Sequence, residues 1–362
     1  MKHLKKFENN SSYEEYILGE DFILPNVSYV EEDSKVYYNP LQSSNNDPYA
    51  DWVKLTYNVT NVALPVDIFC PQENGGAKIF DIVNVTDMAV AEGDSRTATE
   101  PAVVTPAYQY TFSTTGEHTV YVKFGDMTKV PLFAFAMCTA LVDCELPDVV
   151  TTIEQGAFVM CTGLTNITIP NSVQTIGEGV FIQCTGLTSV TIGSGVTTIG
   201  GMAFYECTGL MGTLTIPNGV TSIGQQAFVS CKGLTEIIIP NSVQTIAGAG
   251  FAGCKGITEI IIPNSVTEIG LEAFSGCDGL TSVTIGEGVQ TIGDWAFANC
   301  SGLTTITSLA TTAPSIEWHT FNSVKTGGTL FVPQGATGYD TWMATDNYYL
   351  GKYNWTMQTI SE

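Results

Sequence analysis

Cys161-Thr-Gly-Leu-Thr-Asn-Ile-Thr-Ile-Pro170-Asn-Ser-Val-Gln-Thr-Ile-Gly177-Glu-Gly-Val-Phe181-Ile-Gln-Cys184 is one statement of a phrase that recurs from Cys138 to Cys300. Its cysteines fall at 138, 161, 184, 207, 231, 254, 277 and 300, every 23 residues except for 24 between 207 and 231. A phenylalanine stands three residues before each of them, from Phe135 to Phe297. A fixed period of this size predicts a solenoid. Within the phrase, Leu-Thr-x-Ile-x-Ile-Pro reads as a short strand that proline ends. In the unit from Cys184, Leu187, Val190 and Ile192 point inward and Ser189 and Thr191 outward. Val-x-x-Ile-Gly reads as a second extended piece on the opposite wall, and Ala-Phe-x-x-Cys as a short helical or 3-10 turn that closes the coil. One unit cannot bury its apolar face alone; stacked neighbours do that for each other. Burying one Phe per unit contributes about 1.5–3 kcal/mol, so the Phe column is expected to be the main fastening.

Stacking also decides how the cysteines read. Equivalent residues lie about 4.8 Å apart with parallel side-chain directions, and parallel Cβ vectors disfavour a disulfide. The column is therefore expected to be free, buried thiols acting as small hydrophobes. Some positions depart from the phrase. Cys144 and Glu145 replace Ile and Thr in the first full unit, Ala247 replaces the turn glycine, and Gly212 marks the extra residue, expected as a bulge.

Outward from the repeat, four regions are expected: an N-terminal attachment segment (1–50), a β domain (51–126), the solenoid (127–307) and a C-terminal cap (308–362). In the first, Tyr13 to Leu18 reads as a short helix, Phe22 to Val30 and Lys35 to Tyr38 as strands, and Gln42 to Pro48 as a linker. In the second, period-2 runs at 53–59, 66–69 and 79–85 precede a predicted hairpin of Tyr108–Phe112 and His118–Phe124. Several short strands in this length suggest a small β-sandwich. Its closing phrase, Tyr-x-Phe-x-x-x-Gly-x-x-x-Val-x-Val, resembles the last hairpin of immunoglobulin-like and PKD-like modules. The fold class expected is thus mainly β: an N-terminal β-sandwich-like (Ig/PKD-like) module, a leucine-rich-repeat solenoid and a C-terminal cap. Beyond Cys300 the period decays. Phe331, Tyr339, Trp342, Tyr348, Tyr349, Tyr353 and Trp355 are expected to cover the apolar end of the solenoid.

The repeat closely resembles the leucine-rich repeat of BspA-like (Treponema pallidum type) surface proteins of Bacteroidales. The match covers about residues 127–307. The opening residues, from Lys5-Lys6-Phe7 to Tyr37-Tyr38-Asn39-Pro40, also look like leaders on such proteins in Bacteroides genomes and their phages. The resemblance implies a non-enzymatic adhesion or recognition protein at a cell surface or outside it, binding host matrix proteins or other bacteria.

Composition narrows the partners. A net charge of −23 argues against nucleic acid, whose phosphates require Lys and Arg, and against anionic membranes. No uncharged apolar run reaches the length of a membrane span. Met1 to Phe7 is basic, but Glu8-Asn9-Asn10-Ser11-Ser12 follows where a secretory signal would carry its apolar core. The expectation is a removed signal or another exit route, such as lysis. That keeps open a phage virion decoration or fibre protein, docked on a capsid or tail protein through residues 1–50.

No reading of the chain finds an active site. His3, His118 and His319 lie far apart in sequence with no triad or zinc spacing, and no HExxH, GxSxG or Walker phrase occurs. Neither cofactor nor metal is expected. The candidate binding residues are the outward ones of the first strand, on the extended face that solenoids use. They are Asn166, Thr168, Ser189, Thr191, Thr213, Thr215, Glu236, Ile238, Glu259, Ile261, Ser282 and Thr284. Adjacent outward Ile238 and Ile261 beside Glu236 and Glu259, with Lys232 and Lys255 one turn earlier, mark the strongest local patch. A protein or glycan ligand is expected there. The C-terminal aromatics offer an alternative, carbohydrate-binding platform.

Overall fold

The computed structural model describes residues 49–69, 85–92, 101–346 and 348–360, together with the backbone of four strands between Lys2 and Tyr38. The chain divides at Trp52/Val53 into two compact units.

The first unit contains a four-stranded sheet in the order Ser12–Leu18, Lys2–Glu8, Lys35–Tyr38, Tyr29–Glu32. The helix expected over Tyr13 to Leu18 is a strand instead, antiparallel to Lys2–Glu8. Its register sets Lys5 opposite Glu15 and Lys6 opposite Glu14. This partner lies outside the local pattern that suggested a helix. Lys35–Tyr38 is a strand as expected; the strand call on residues 22–28 and the linker at 42–48 lie outside the described residues.

The second unit begins with an antiparallel core. Gly116–Phe124 lies between Val53–Val59 and Val85–Ala91, and Ala102–Val104 forms the edge. Alternation is clear: Val53, Leu55, Tyr57 and Val59 are buried, as are His118, Val120, Val122 and Phe124. The predicted hairpin of 108–112 with 118–124 does not form. Gln109–Tyr110 pairs with Val66–Asp67 in a separate two-stranded ribbon. The cause is visible at the turn. The buried imidazole of His118 stacks on Phe112 at 4.5 Å between centroids and its Nε2 meets the Thr114 carbonyl at 2.9 Å. That fastening folds the connection onto the core and frees both strands for other partners. Residues 79–84 of the expected strand at 79–85 lie outside the described residues.

Val53–Val59 also pairs antiparallel with Leu141–Glu145, a strand of the first full repeat unit. One seven-stranded sheet therefore runs from Ala102–Val104 to Ser189–Ile192.

The repeats wind as a β-solenoid. The first wall consists of the strands Leu141–Glu145, Asn166–Ile169, Ser189–Ile192, Met211–Thr215, Gly233–Ile238, Glu259–Ile262, Ser282–Ile285, Thr305–Ser308, Thr329–Val332 and Thr356–Thr359. The second wall is a single nine-stranded parallel sheet from Lys129–Val130 to Ser315–Ile316. The third side, expected as a short helical or 3-10 turn at Ala-Phe-x-x-Cys, is a run of tight turns with no α-helix among the described residues. Met160, Gln183 and Glu206, each just before a cysteine, adopt left-handed φ of 57°, 55° and 55°. Alternating handedness turns the amides outward along the stack. Phe158 N–H donates to Val180 O at 2.9 Å, and Met160 N–H to Ile182 O at 2.7 Å, each one turn ahead. The residues between bond within the turn, Val159 N–H to Gly156 O at 3.1 Å and Cys161 N–H to Phe158 O at 3.2 Å, so single 3-10-type bonds alternate with a ladder to the next turn.

Inside, the Phe rings stack face to face from Phe158 to Phe297, with successive centroids 5.0–5.5 Å apart. Phe69 and Phe124 meet Phe135 at the N-terminal end, at 5.9 and 6.0 Å. Phe321 and Trp342 continue the column at the other, at 6.0 and 5.2 Å. Trp342, Tyr339, Trp355 and Tyr349 are buried there. Their polar atoms find partners: Trp342 Nε1 donates to Pro314 O at 3.0 Å, and Tyr339 OH to Ser308 Oγ at 2.6 Å.

The repeat cysteines from Cys161 to Cys300 are buried and free of disulfides. Each Sγ from Cys161 to Cys300 donates to the Phe carbonyl of the preceding turn, for example Cys184 to Phe158 O at 3.0 Å and Cys207 to Phe181 O at 2.9 Å. Valine would fill the space but could not donate. Burial pushes these thiols up, Cys184 and Cys277 to about 12.

Candidate functional site

The first wall positions the candidate residues by strand alternation. Asn166, Thr168, Ser189, Thr191, Thr213, Thr215, Glu236, Ile238, Glu259 and Ile261 are exposed, while Ser282 and Thr284 are half-buried. Ladder pairing sets them side by side in twos. Asn166 lies opposite Ser189 and Thr168 opposite Thr191. Thr213 lies opposite Glu236 and Thr215 opposite Ile238. Glu259 lies opposite Ser282 and Ile261 opposite Thr284. The Thr213 hydroxyl donates to Glu236 Oε2 at 2.7 Å, which fixes that carboxylate on the face.

Ile238 and Ile261 are 47% and 59% exposed, and apolar side chains kept in water need a reason. They line one cleft with Glu236, Glu259, Thr235 and Thr258, about 380 Å³ in volume. The two lysines do not complete this patch as the sequence suggested. Lys255 Nζ pairs instead with Asp278 at 2.7 Å, toward the next turn, and neither lysine lines the cleft.

The wall is not continuous, which the sequence did not announce. Its strands form three separate sheets, interrupted between Ser189–Ile192 and Met211–Thr215 and again between Gly233–Ile238 and Glu259–Ile262. Between Leu141–Glu145 and Asn166–Ile169 only Glu145 and Thr168 pair. Each loosened step opens a cleft. The first is lined by Asp143, Glu145, Asp148, Asn166 and Thr168 among others, about 320 Å³. The second is lined by Thr191, Ser194, Thr213, Thr215 and Asn218 above Val190 and Ile192, about 490 Å³. The third holds Ile238 and Ile261. The one sequence signal was Gly212. Its φ of 72° carries the extra residue, and the register shifts between Gly212 and Thr213.

At the C-terminal end the sequence missed another arrangement. His319 stacks between Trp295, at 4.5 Å, and Tyr348, at 5.1 Å, and Lys352 Nζ sits 3.8 Å from the Tyr348 ring centroid. His319 Nδ1 lies 3.2 Å from both carboxylate oxygens of Asp294. Tyr348 is exposed, but most of the aromatics proposed for a sugar platform are buried in the core. Among the described residues no cluster of His, Cys, Asp or Glu could hold a metal ion, and no helix is long and apolar enough to cross a membrane.

Stacked parallel turns with a Phe column and an open strand wall define a leucine-rich repeat solenoid. The model of the BspA-type leucine-rich repeat region matches residues 105–235 and 208–327, with six copies. These spans cover more than half of the sequence, and the chain belongs to the BspA-type leucine-rich repeat family. No curated protein sequence matches it. Among solved structures, the chain is similar to a leucine-rich cell surface protein from Faecalibacterium prausnitzii A2-165. Identity is 21% over 72% of this chain and 86% of that one, with a TM-score of 0.40. The T. pallidum leucine-rich repeat protein is 28% identical over 45% of this chain and 68% of its own, TM-score 0.31. The pneumococcal vaccine antigen PcpA is 18% identical over 59% and 71%, TM-score 0.33.

Proposed function

We propose that the chain is a non-enzymatic adhesion protein, displayed outside the cell, that binds a protein partner on the first wall of its solenoid. The observation that carries this is the exposed Ile238 and Ile261 lining one acidic-rimmed cleft together, on a face whose other outward positions are mostly polar. Aliphatic anchors surrounded by polar groups are the composition of a contact surface. Residues 1–50 serve as the attachment segment, supported by the separate compactness of Met1–Trp52.

Beads coated with the intact chain, flowed over immobilised extracellular-matrix proteins and over other bacteria, test the reading. Retention on at least one surface is expected, with most of it lost in the Ile238→Lys/Ile261→Lys variant. Equal retention by the variant removes the first wall from adhesion.

A further inference from the structure

The three clefts of the first wall are regularly placed. They open between the first and second strands of the wall, the third and fourth, and the fifth and sixth. The steps between them are closed by full ladders: four residue pairs join Asn166–Ile169 to Ser189–Ile192, and five join Met211–Thr215 to Gly233–Ile238. Successive clefts are therefore two turns apart, about 10 Å along the solenoid at the spacing of neighbouring strands.

Charge follows the same spacing. The first cleft carries Asp143, Asp148 and Glu145, the last already paired with Lys54. The middle cleft has no charged lining, and the third carries Glu236 and Glu259. The face thus reads acidic, neutral, acidic over four turns.

Few chain conformations match that interval. Polyproline II advances about 9.3 Å in three residues and returns to the same side at each third residue. A β-strand repeats its side-chain direction every two residues, about 6.8 Å, so equivalent residues fall out of step with the clefts. An α-helix advances about 10.8 Å in two turns. It also satisfies its own main-chain groups, and it seats on a continuous apolar groove, whereas the middle cleft is rimmed by Thr, Ser and Asn. Polyproline II leaves its carbonyls free, and the strand edges facing each other across the second and third clefts are not laddered to one another.

We propose that the three clefts form one register for a polyproline-II peptide lying along the solenoid, with basic residues six positions apart in the outer clefts and a neutral residue in the middle one. The proposal rests on the first wall being the binding surface and names the chemistry of its ligand.

Fluorescently labelled peptides Lys-(Pro)n-Lys, with n of 3, 5 or 7, are titrated into the intact protein at about 0.15 M salt and read by anisotropy. The n = 5 peptide, whose lysines are six apart, is expected to bind about tenfold more tightly than either neighbour. A Gly-Ser spacer of the same length is expected to bind more weakly, because it must be ordered on binding. Glu236→Gln/Glu259→Gln and Asp143→Asn, each checked for unchanged melting, should bring n = 5 down to the level of n = 3. Affinity that ignores n, an equal affinity for the Gly-Ser spacer, or binding of cellohexaose in place of the peptides overturns the proposal. If the Ile238→Lys/Ile261→Lys beads lose adhesion while the peptides show no dependence on n, the binding face stands and the register falls. If those beads keep adhesion, the face falls and the register with it.

Discussion

Phe228 has zero exposure and lies between the rings of Phe204 and Phe251 at 5.2 and 5.3 Å. Phe228→Ala removes both contacts and leaves a cavity that neighbouring turns cannot fill without breaking their ladders. It should cost about 3–5 kcal/mol, measured by denaturant unfolding; a loss below about 1 kcal/mol would show that the rings do not fasten the stack. The cysteine beside each Phe sets a pH dependence. An unfolded thiol titrates near about 8.5, while burial pushes Cys184 and Cys277 to about 12. Between these values the folded state holds protons that the unfolded chain has released, so stability is complete below the unfolded value and falls as pH rises through the window. Melting followed across that range should show the loss, and Cys184→Ser/Cys277→Ser should make it shallower while the other buried repeat thiols keep their share. Thiol reagents at neutral pH should find the repeat cysteines unreactive until the protein is denatured.

At the scale of the turn, two glycines in successive units do different work. At Gly186 a Cβ would sit 2.2 Å from the Thr162 carbonyl oxygen of the preceding turn, whereas at Gly212 nothing lies within 4 Å but φ is +72°. Gly186→Ala must push two turns apart and should cost about 1–3 kcal/mol. Gly212→Ala carries only the left-handed backbone penalty, about 1–2 kcal/mol, and its loss should not spread beyond the bulge. Hydrogen exchange turn by turn separates the two. The turn's walls were legible because Ile167 and Ile169 alternate with Asn166 and Thr168, and because Pro170 ends the strand. Its third side was not. Left-handed residues there include Met160, Gln183 and Glu206, which read locally as helix formers, and glycine marks the equivalent place only in some units, at Gly253 and Gly276. Ile238 and Ile261 were legible as outliers on a Thr-rich face. The clefts were not, since a missing ladder between Ile192 and Thr213 depends on how two turns lean, and only Gly212 hinted at it.

At the scale of the molecule, the pairing of Val53–Val59 with Leu141–Glu145 was beyond the sequence. Those partners are separated by most of a hundred residues, and each strand reads as complete alone. The consequence is testable by truncation. Removing residues 1–46 should leave the melting of Val53–Glu362 unchanged. Removing residues 1–126 strips Phe69 and Phe124 from Phe135 and bares the edge of Leu141–Glu145, an invitation to pair with another chain. That product should melt lower and associate, as seen by sedimentation; a monomer of undiminished stability would deny the antiparallel module any capping role. The unequal walls have one more consequence, for a solenoid under load. A sheet without interruption on one side and a sheet cut twice on the other make a beam with a continuous hinge and two notches. Bending that opens the notched side strains few main-chain bonds, while the opposite bend stretches an intact ladder. Tugged by flow, such a beam flexes in one direction first, and the clefts at its notches widen or narrow with the force applied.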